Sequence, residues 1–341
     1  KDLQKYKPQY MVGVPRLWES IYEGVQKQFQ EQSASKQKLI NFFFGISEDY
    51  IIAKRIASGM SLEHLDASSV DKIKAKLKAS VLAPLHSIGS KIVYQKVRDA
   101  VGGNVKSFIS GGGSLAKHLD NFYEIVGIPL LVGYGLTETA PVTNARSLDR
   151  NLRGSSGQPI PETEIKIVDL QTRQTLPQGE TGLVFIRGSQ VMKGYYKKPE
   201  ATEKAIDSEG WFDSGDLGWV TPDNDLVLTG RAKDTIVLTN GENIEPQPIE
   251  DACVRSKYID QIMLVGQDRR SLGALIVPNL DALQQWITSQ KLDLNLPSLD
   301  ASETEIANSD LNAPEILNLF RQELNREVKN RPGYRLSLIH I

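Results

Sequence analysis

This 341-residue sequence contains one cysteine and four histidines, and its acidic and basic residues nearly balance. The single cysteine, Cys253, excludes an intramolecular disulfide and any metal site built from several cysteines, and it fits a reducing compartment such as the cytoplasm. Four histidines (His64, His86, His118 and His340) have no HxxH or HxxxH spacing, so no zinc site is predicted. Forty basic and forty-two acidic residues give a net charge of −2, and no nucleic-acid partner is expected.

Long apolar runs are also missing, which argues against a transmembrane helix. Such a helix needs roughly twenty consecutive apolar residues. The most apolar stretch, 40–52, is interrupted by Gly45 and by the acidic pair Glu48-Asp49. Within this stretch, Phe42-Phe43-Phe44 favours burial in a protein core, and peripheral contact with a membrane is the alternative.

The order of local patterns predicts an α/β multidomain protein. Apolar residues recur every fourth position from Leu17 to Phe29, behind a proline suited to a helix start, and helical patterns continue over about 15–101. From Val105 the pattern changes to a strand ending at Ser110, a glycine turn, and a helix expected to be capped by Ser114. Glycine-marked strands follow, and strands and helices alternate again beyond Lys233.

Three regions are therefore expected. Residues 1–153 would form part of a large α/β body built on a parallel sheet, with a helical insertion over about 15–101. Residues 154–232 would form a β-rich subdomain of that body, and residues 233–341 a small, mobile α+β C-terminal domain that is truncated.

The segment from Gly133 to Thr139 carries side chains suited to a nucleoside triphosphate. Tyr134 offers a flat face for adenine, and Gly135 lets the backbone come close to a ligand. The hydroxyl of Thr137 can donate to a phosphate, and the carboxylate of Glu138 can hold Mg²⁺ directly or through water. By itself, the same string is also compatible with a strand-ending turn with a threonine cap.

Three further features could complete a nucleotide site. Gly111-Gly112-Gly113 follows a strand and precedes a helix, although it lacks the lysine of a phosphate-binding loop and also fits a plain tight turn. Asp216 offers a carboxylate that can accept hydrogen bonds from ribose hydroxyls. Arg231, fifteen residues later, offers a donor to the ribose or the α-phosphate.

The order and spacing of these motifs resemble the adenylate-forming acyl-activating enzymes, most closely the long-chain fatty acid–CoA ligases and acyl–acyl-carrier-protein synthetases. The resemblance covers most of the chain, from Pro15 onward. It implies that Tyr134 packs on adenine, that Thr137 contacts phosphate and that Glu138 serves the metal. It also assigns Asp216 to the ribose and places Gly111-Gly112-Gly113 beside adenine and the acyl pocket.

The same resemblance implies a reaction in two halves. A long-chain fatty acid would attack the α-phosphate of ATP, with Mg²⁺ present, to give an acyl-adenylate and pyrophosphate. A thiol, from CoA or the phosphopantetheine of acyl-carrier protein, would then take the acyl group and release AMP. Lys233 matches the hinge on which the small domain turns between these steps, and Gly241 lies in a loop that would face the thiol arm.

Two elements of the family pattern have no counterpart between Lys1 and Ile341: a Ser/Thr/Gly-rich loop ending in lysine, and a late lysine that neutralises charge. We therefore expect a fragment that is inactive by itself. The apolar tail 336–341, the chain-length preference, the oligomeric state and the choice of acceptor stay open. Two alternatives remain: a ligase for an aromatic or amino acid, against which the helical insertion argues, and a non-catalytic nucleotide-binding remnant.

Overall fold

The computed structural model describes residues 2–298, 300–328 and 336–340. The chain divides into two compact units, Lys1–Leu228 and Thr229–Ile341. This division falls inside the strand that precedes Lys233, and the domain boundaries at 153/154 and 232/233 remain predictions. Within the described residues, every helix is too short or too polar to traverse a bilayer.

The first unit is built on a five-stranded sheet of order β1-β2-β3-β4-β5. Its strands are β1 (Tyr10–Gly13), β2 (Ser107–Ser110), β3 (Leu130–Gly135), β4 (Val142–Ala145) and β5 (Gln158–Pro159). β1, β2 and β3 are parallel, whereas β4 pairs antiparallel with β3 and β5 with β4. The predicted α/β body is confirmed, but its sheet is mixed because a short turn joins β3 to β4, and only antiparallel neighbours can be joined so closely.

Helices accompany this sheet, and most of them lie within about 15–101, the range predicted for the insertion. They are α1 (Asp2–Tyr6), α2 (Pro15–Gln30), α3 (Ala34–Ala57), α4 (Ser69–Gly89), α5 (Gln95–Ala100) and α6 (Lys117–Ile125), with a π-helical turn at Ser90–Tyr94 between α4 and α5. Trp18 of α2 is fully buried and stacks on Phe108 of β2 at 4.7 Å between ring centroids. This contact fixes the insertion to the sheet.

The three phenylalanines of α3 divide between core and surface. Phe43 is buried, and Phe44 packs in the same core with ring contacts to Phe29, Tyr94 and Phe122. Phe42 is 55% exposed. The core interpretation therefore holds for two of the three rings.

The helix after the glycine turn begins later than the sequence predicts. α6 starts at Lys117 with Ala116 at its N-cap, so the assignment of Ser114 as the cap is wrong. Leu115 and Ala116 pack instead against the core of the first unit while the chain is still non-helical. This packing outweighs the local preference of serine for a cap.

The β-rich part of the chain is a four-stranded sheet of order β6-β7-β8-β9. Its elements are β6 (Thr163–Val168), β7 (Gly182–Gly188), α7 (Pro199–Ala205), β8 (Phe212–Val220) and β9 (Leu226–Arg231). β6 and β8 both pair antiparallel with β7. Val184, Ile186 and Leu226 are fully buried in its core.

The second unit has α+β structure with its own core. Its elements are β10 (Ile236–Val237), β11 (Asn243–Ile244), α8 (Gln247–Cys253), β12 (Ile259–Val265), β13 (Leu272–Pro278), α9 (Leu280–Gln290), α10 (Glu303–Ala307), α11 (Pro314–Val328) and β14 (Leu336–His340). β10 pairs with β11, and a second sheet has the order β12-β13-β14. The apolar tail thus supplies a strand parallel to β13, while Ile341 lies outside the described residues.

Candidate active site

The glycine turn and the tyrosine motif lie side by side at one edge of the sheet. Gly111-Gly112-Gly113 follows β2, and Tyr134 and Gly135 end β3, which is the parallel neighbour of β2. The carboxyl ends of parallel strands meet at the same edge, which is where open α/β sheets bind ligands. Gly112 has φ +76°, a left-handed conformation that favours glycine, and Gly111 N donates to Gly13 O at 3.1 Å.

The turn after β3 explains two residues of the motif in structural terms. A Cβ on Gly135 would overlap the carbonyl oxygen of Pro141, because the chain folds straight back on itself. Leu136 N donates to Pro141 O at 3.0 Å, and the buried Thr139 hydroxyl donates to Leu136 O at 3.0 Å. Gly135 is therefore required by the turn itself, whatever it does for a ligand. The turn leaves Thr137 exposed and Glu138 partly exposed.

Glu138 is held by a tyrosine that the sequence motifs do not indicate. The hydroxyl of Tyr195 donates to Glu138 Oε1 at 2.9 Å, and Met192 N donates to Glu138 O at 2.7 Å. Burial, together with the nearby carboxylate, raises the pKa of Tyr195, so its hydroxyl stays protonated as a donor. No spacing rule connects residues 138 and 195, and the one local signal the sequence offers at this loop is the aromatic pair Tyr195-Tyr196 after Gly194.

Tyr134 and Asp216 meet although they are 82 positions apart. The Tyr134 hydroxyl donates to Asp216 Oδ2 at 2.6 Å. Asp216 lies in β8 and is only 6% exposed, and its own N–H donates to Ser214 Oγ at 3.1 Å. The structure thus brings the predicted adenine-stacking ring against the predicted ribose carboxylate.

The remaining predicted residues lie in the second unit. Arg231 ends β9, and its carbonyl accepts a hydrogen bond from Asp234 N at 3.0 Å in the turn that contains Lys233. The side chain of Lys233 is exposed. Gly241 has φ +81° in the turn between β10 and β11, and a Cβ there would meet nothing within 4 Å. The roles of these three residues stay predictions.

Magnesium fits this donor set only as an ion shared with a ligand. In the part of the chain that the structure describes, no cluster of three or more His, Cys, Asp or Glu side chains is arranged to hold a metal. Mg²⁺ often keeps several waters and takes one or two carboxylates together with substrate phosphates. Glu138, beside the exposed hydroxyl of Thr137, suits that mode of binding.

Comparison with known families decides the identity of this architecture. Residues 1–196 match the model of the AMP-binding enzyme family, and residues 233–323 match that of the AMP-binding enzyme C-terminal domain. The chain belongs to the AMP-binding enzyme family. It is 45% identical over 300 residues to the long-chain-fatty-acid–[acyl-carrier-protein] ligase AEE15, chloroplastic, of Arabidopsis thaliana, covering 83% of this chain and 41% of that protein.

A second relative is more distant. The long-chain-fatty-acid–CoA ligase FadD15 of Mycobacterium bovis is 31% identical over 284 residues, which cover 83% of this chain and 42% of that protein. The chain therefore spans about two fifths of the length of these curated AMP-binding relatives.

Solved structures agree on the fold. The ATP-bound RpMatB–BxBclM chimera B1 has a TM-score of 0.55 at 21% identity, over 72% of this chain and 45% of that one. The anthranilate CoA ligase AuaEII, solved with anthranoyl-AMP, has a TM-score of 0.53 at 18% identity, over 70% of this chain and 41% of that one. The predicted fold class, an α/β body with a β-rich part and a small α+β region, is thereby confirmed.

Proposed function

We propose that the protein containing this chain is an AMP-forming acid–thiol ligase for long-chain fatty acids. The carboxylate oxygen of the fatty acid attacks the α-phosphorus of ATP, and the bond to pyrophosphate breaks. A thiolate sulfur then attacks the acyl carbon, forming a thioester and releasing AMP. The contact of Tyr134 with Asp216, next to the Thr137–Glu138 turn, is the observation that carries the proposal.

Each side chain has a stated part in the first step. Asp216 would accept from the ribose hydroxyls, with its carboxylate oriented by the Tyr134 hydroxyl. Thr137 would donate to the α-phosphate, and Glu138, oriented by Tyr195, would hold Mg²⁺. The metal would supply positive charge against the phosphate oxygens. Two anions must approach each other in this step, so oriented donors and positive charge are the main requirement.

We propose acyl-carrier protein as the acceptor, with CoA as the other candidate. The identity to a ligase named for the carrier protein is 45%, against 31% to one named for CoA. Gly241, which has open space around it, would let a phosphopantetheine arm pass after the small domain turns at Lys233. A cytoplasmic location with peripheral membrane contact completes the proposal.

Acid-dependent exchange of pyrophosphate into ATP by the full-length protein tests this function. The substrate panel should contain palmitate, benzoate and the twenty amino acids. Exchange with palmitate alone is expected. Exchange with benzoate or an amino acid instead of palmitate would establish a ligase for another acid. If none of the acids supports exchange, the protein is a non-catalytic nucleotide-binding protein. Thioester formation with carrier protein or CoA then identifies the acceptor.

A further inference from the structure

The outer face of α4 carries a continuous apolar stripe. Seven side chains between 37% and 74% exposed form it: Val70, Ile73, Leu77, Val81, Leu85, Ile88 and Ile92. Their spacing of three or four residues places them on one side of the helix and of the π-helical turn that continues it. At 1.5 Å per residue the stripe is about 33 Å long. We define this set as the α4 stripe.

The opposite side of the same helix is the side that packs on the protein. Ala75 and Gly89 are buried there, and a Cβ on Gly89 would be 3.0 Å from the ring of Phe43 in α3. His86 Nδ1 lies 2.9 Å from Ser47 Oγ of α3. The α4 stripe is therefore not the core-facing side of an amphipathic helix. It is a second apolar side that faces away from α3.

The charged residues on α4 and on the π-helical turn are almost all positive. The segment from Ser69 to Tyr94 contains one aspartate and five lysines: Lys72, Lys74, Lys76, Lys78 and Lys91. Its formal charge is therefore +4, in a chain whose total is −2. The aspartate, Asp71, accepts a hydrogen bond from Ser68 Oγ at 2.7 Å. Lys78 pairs with Asp49 of α3, but both groups are more than half exposed.

We propose that the α4 stripe docks this protein on the surface of an anionic lipid bilayer, with α4 lying in the plane of the interface. An apolar face rimmed by lysines is the pattern of interfacial helices, whose apolar side chains enter the headgroup boundary while the ammonium groups reach the anionic headgroups. Pairing of the stripe with itself in a second copy is disfavoured, because it would bring two rows of lysines together.

This inference deepens the membrane contact included in the proposed function. Only the purpose of docking rests on the proposed function: docking would place the active site at the membrane, into which long-chain fatty acids partition. Binding itself requires neither ATP nor an acid. A failure of pyrophosphate exchange and a failure of membrane docking are therefore separate results.

The test is co-sedimentation of the full-length protein with vesicles. Vesicles of phosphatidylcholine alone are compared with vesicles that contain phosphatidylglycerol. Wild type should bind the anionic vesicles. Leu77→Ser with Val81→Ser should weaken binding by about tenfold or more, and Lys74→Glu with Lys76→Glu should do the same for anionic vesicles. Leu148→Ser is the matched control, because Leu148 is also exposed (58%) but lies outside α4, and it should bind like wild type.

Thermal unfolding and light scattering, both measured without vesicles, show whether another part of the protein or a second copy covers the α4 stripe instead of a membrane. If another part of the full-length protein covers the stripe, the serine double variant will melt earlier and wild type will not bind vesicles. If a second copy covers it, the same variant will dissociate and wild type will again not bind vesicles. Either result, or equal binding by all variants, overturns the proposal. Vesicle binding that the stripe variants lose and the Leu148 control keeps supports it.

Discussion

Glu138, which is predicted to hold Mg²⁺, is contacted by residues far along the chain. Its carboxylate is oriented by Tyr195, and its backbone carbonyl is held by Met192. Thr139 closes the turn beneath it. A flexible surface glutamate would lose side-chain entropy on binding a metal, and this loss is smaller when the rotamer is already fixed.

Glu138→Gln in the full-length protein should raise the Mg²⁺ concentration needed for half-maximal pyrophosphate exchange by about tenfold, because an amide lacks the charge that Mg²⁺ prefers. Tyr195→Phe should cause a smaller rise, roughly threefold, since it removes only one hydrogen bond to that carboxylate. Circular dichroism checks that both variants fold. An unchanged magnesium response in Glu138→Gln would make Glu138 a structural part of the turn.

At the scale of elements, a buried ionic network joins α6 to the segment after β4. Asp120 accepts hydrogen bonds from Arg146 and Arg153, at 2.7 Å each, and both Asp120 and Arg146 are almost fully buried. Burial alone would raise the pKa of Asp120, but the two guanidinium groups outweigh burial and lower it. Its contribution to stability is therefore present above its ordinary pKa of 3.8 and is lost as the pH falls below that value.

Asp120→Asn should lower the free energy of unfolding by about 3–5 kcal/mol, because it leaves Arg146 buried beside an uncharged partner. Asp223→Asn is the matched control, since Asp223 pairs with Arg150 at an exposed position and its loss should cost at most about 1 kcal/mol. Urea unfolding at neutral pH measures both. Similar losses in the two variants would contradict the buried-network interpretation.

The α3–α4 hairpin contains a titratable contact of its own. Burial, reinforced by the positive charges of Lys54 and Arg98, lowers the pKa of His86 below 6.5, although Glu124 acts in the opposite direction. The unfolded chain therefore binds a proton more readily than the folded one. Stability from this group is complete above pH 6.5 and declines as the pH falls through the folded-state pKa.

His86→Gln should accordingly flatten the decrease of unfolding free energy between pH 7 and pH 5. Urea titrations of wild type and variant at three pH values in this range measure the two slopes. Parallel slopes would show that His86 titrates alike in the folded and unfolded chains.

Much of the fold was predictable from sequence because local patterns repeat many times. The apolar residues that recur every fourth position behind Pro15 predicted α2, and the glycine-marked strands predicted after Ser110 include β3, β6 and β7. The start of α6 was not predictable, because packing of Leu115 and Ala116 decides it. The contacts of Tyr195 and of Asp120 were not predictable either, because they join residues far apart in sequence that no local pattern relates.

At the scale of the whole molecule, the division into two units makes Lys233 a position where motion can be tested. If Lys233 is the predicted hinge, Lys233→Pro in the full-length protein should spare pyrophosphate exchange but slow thioester formation by about tenfold or more, because proline fixes φ near −65° and would prevent the hinge from rotating. Both half-reactions are assayed on one preparation. Equal losses would assign Lys233 to folding or ATP binding, and no loss in either would remove the hinge assignment.

The central claim is that Tyr134 at the end of β3 and Asp216 in β8, which contact each other, hold ATP for attack by the carboxylate of a fatty acid. Direct detection of the acyl-adenylate by mass spectrometry, after mixing full-length protein with ATP, Mg²⁺ and palmitate but no thiol, tests it. Wild type and Asp223→Ala should accumulate palmitoyl-adenylate, and Asp216→Ala should form at least about a hundredfold less at limiting ATP. Absence of the adenylate in wild type, or its undiminished formation in Asp216→Ala, would contradict the claim.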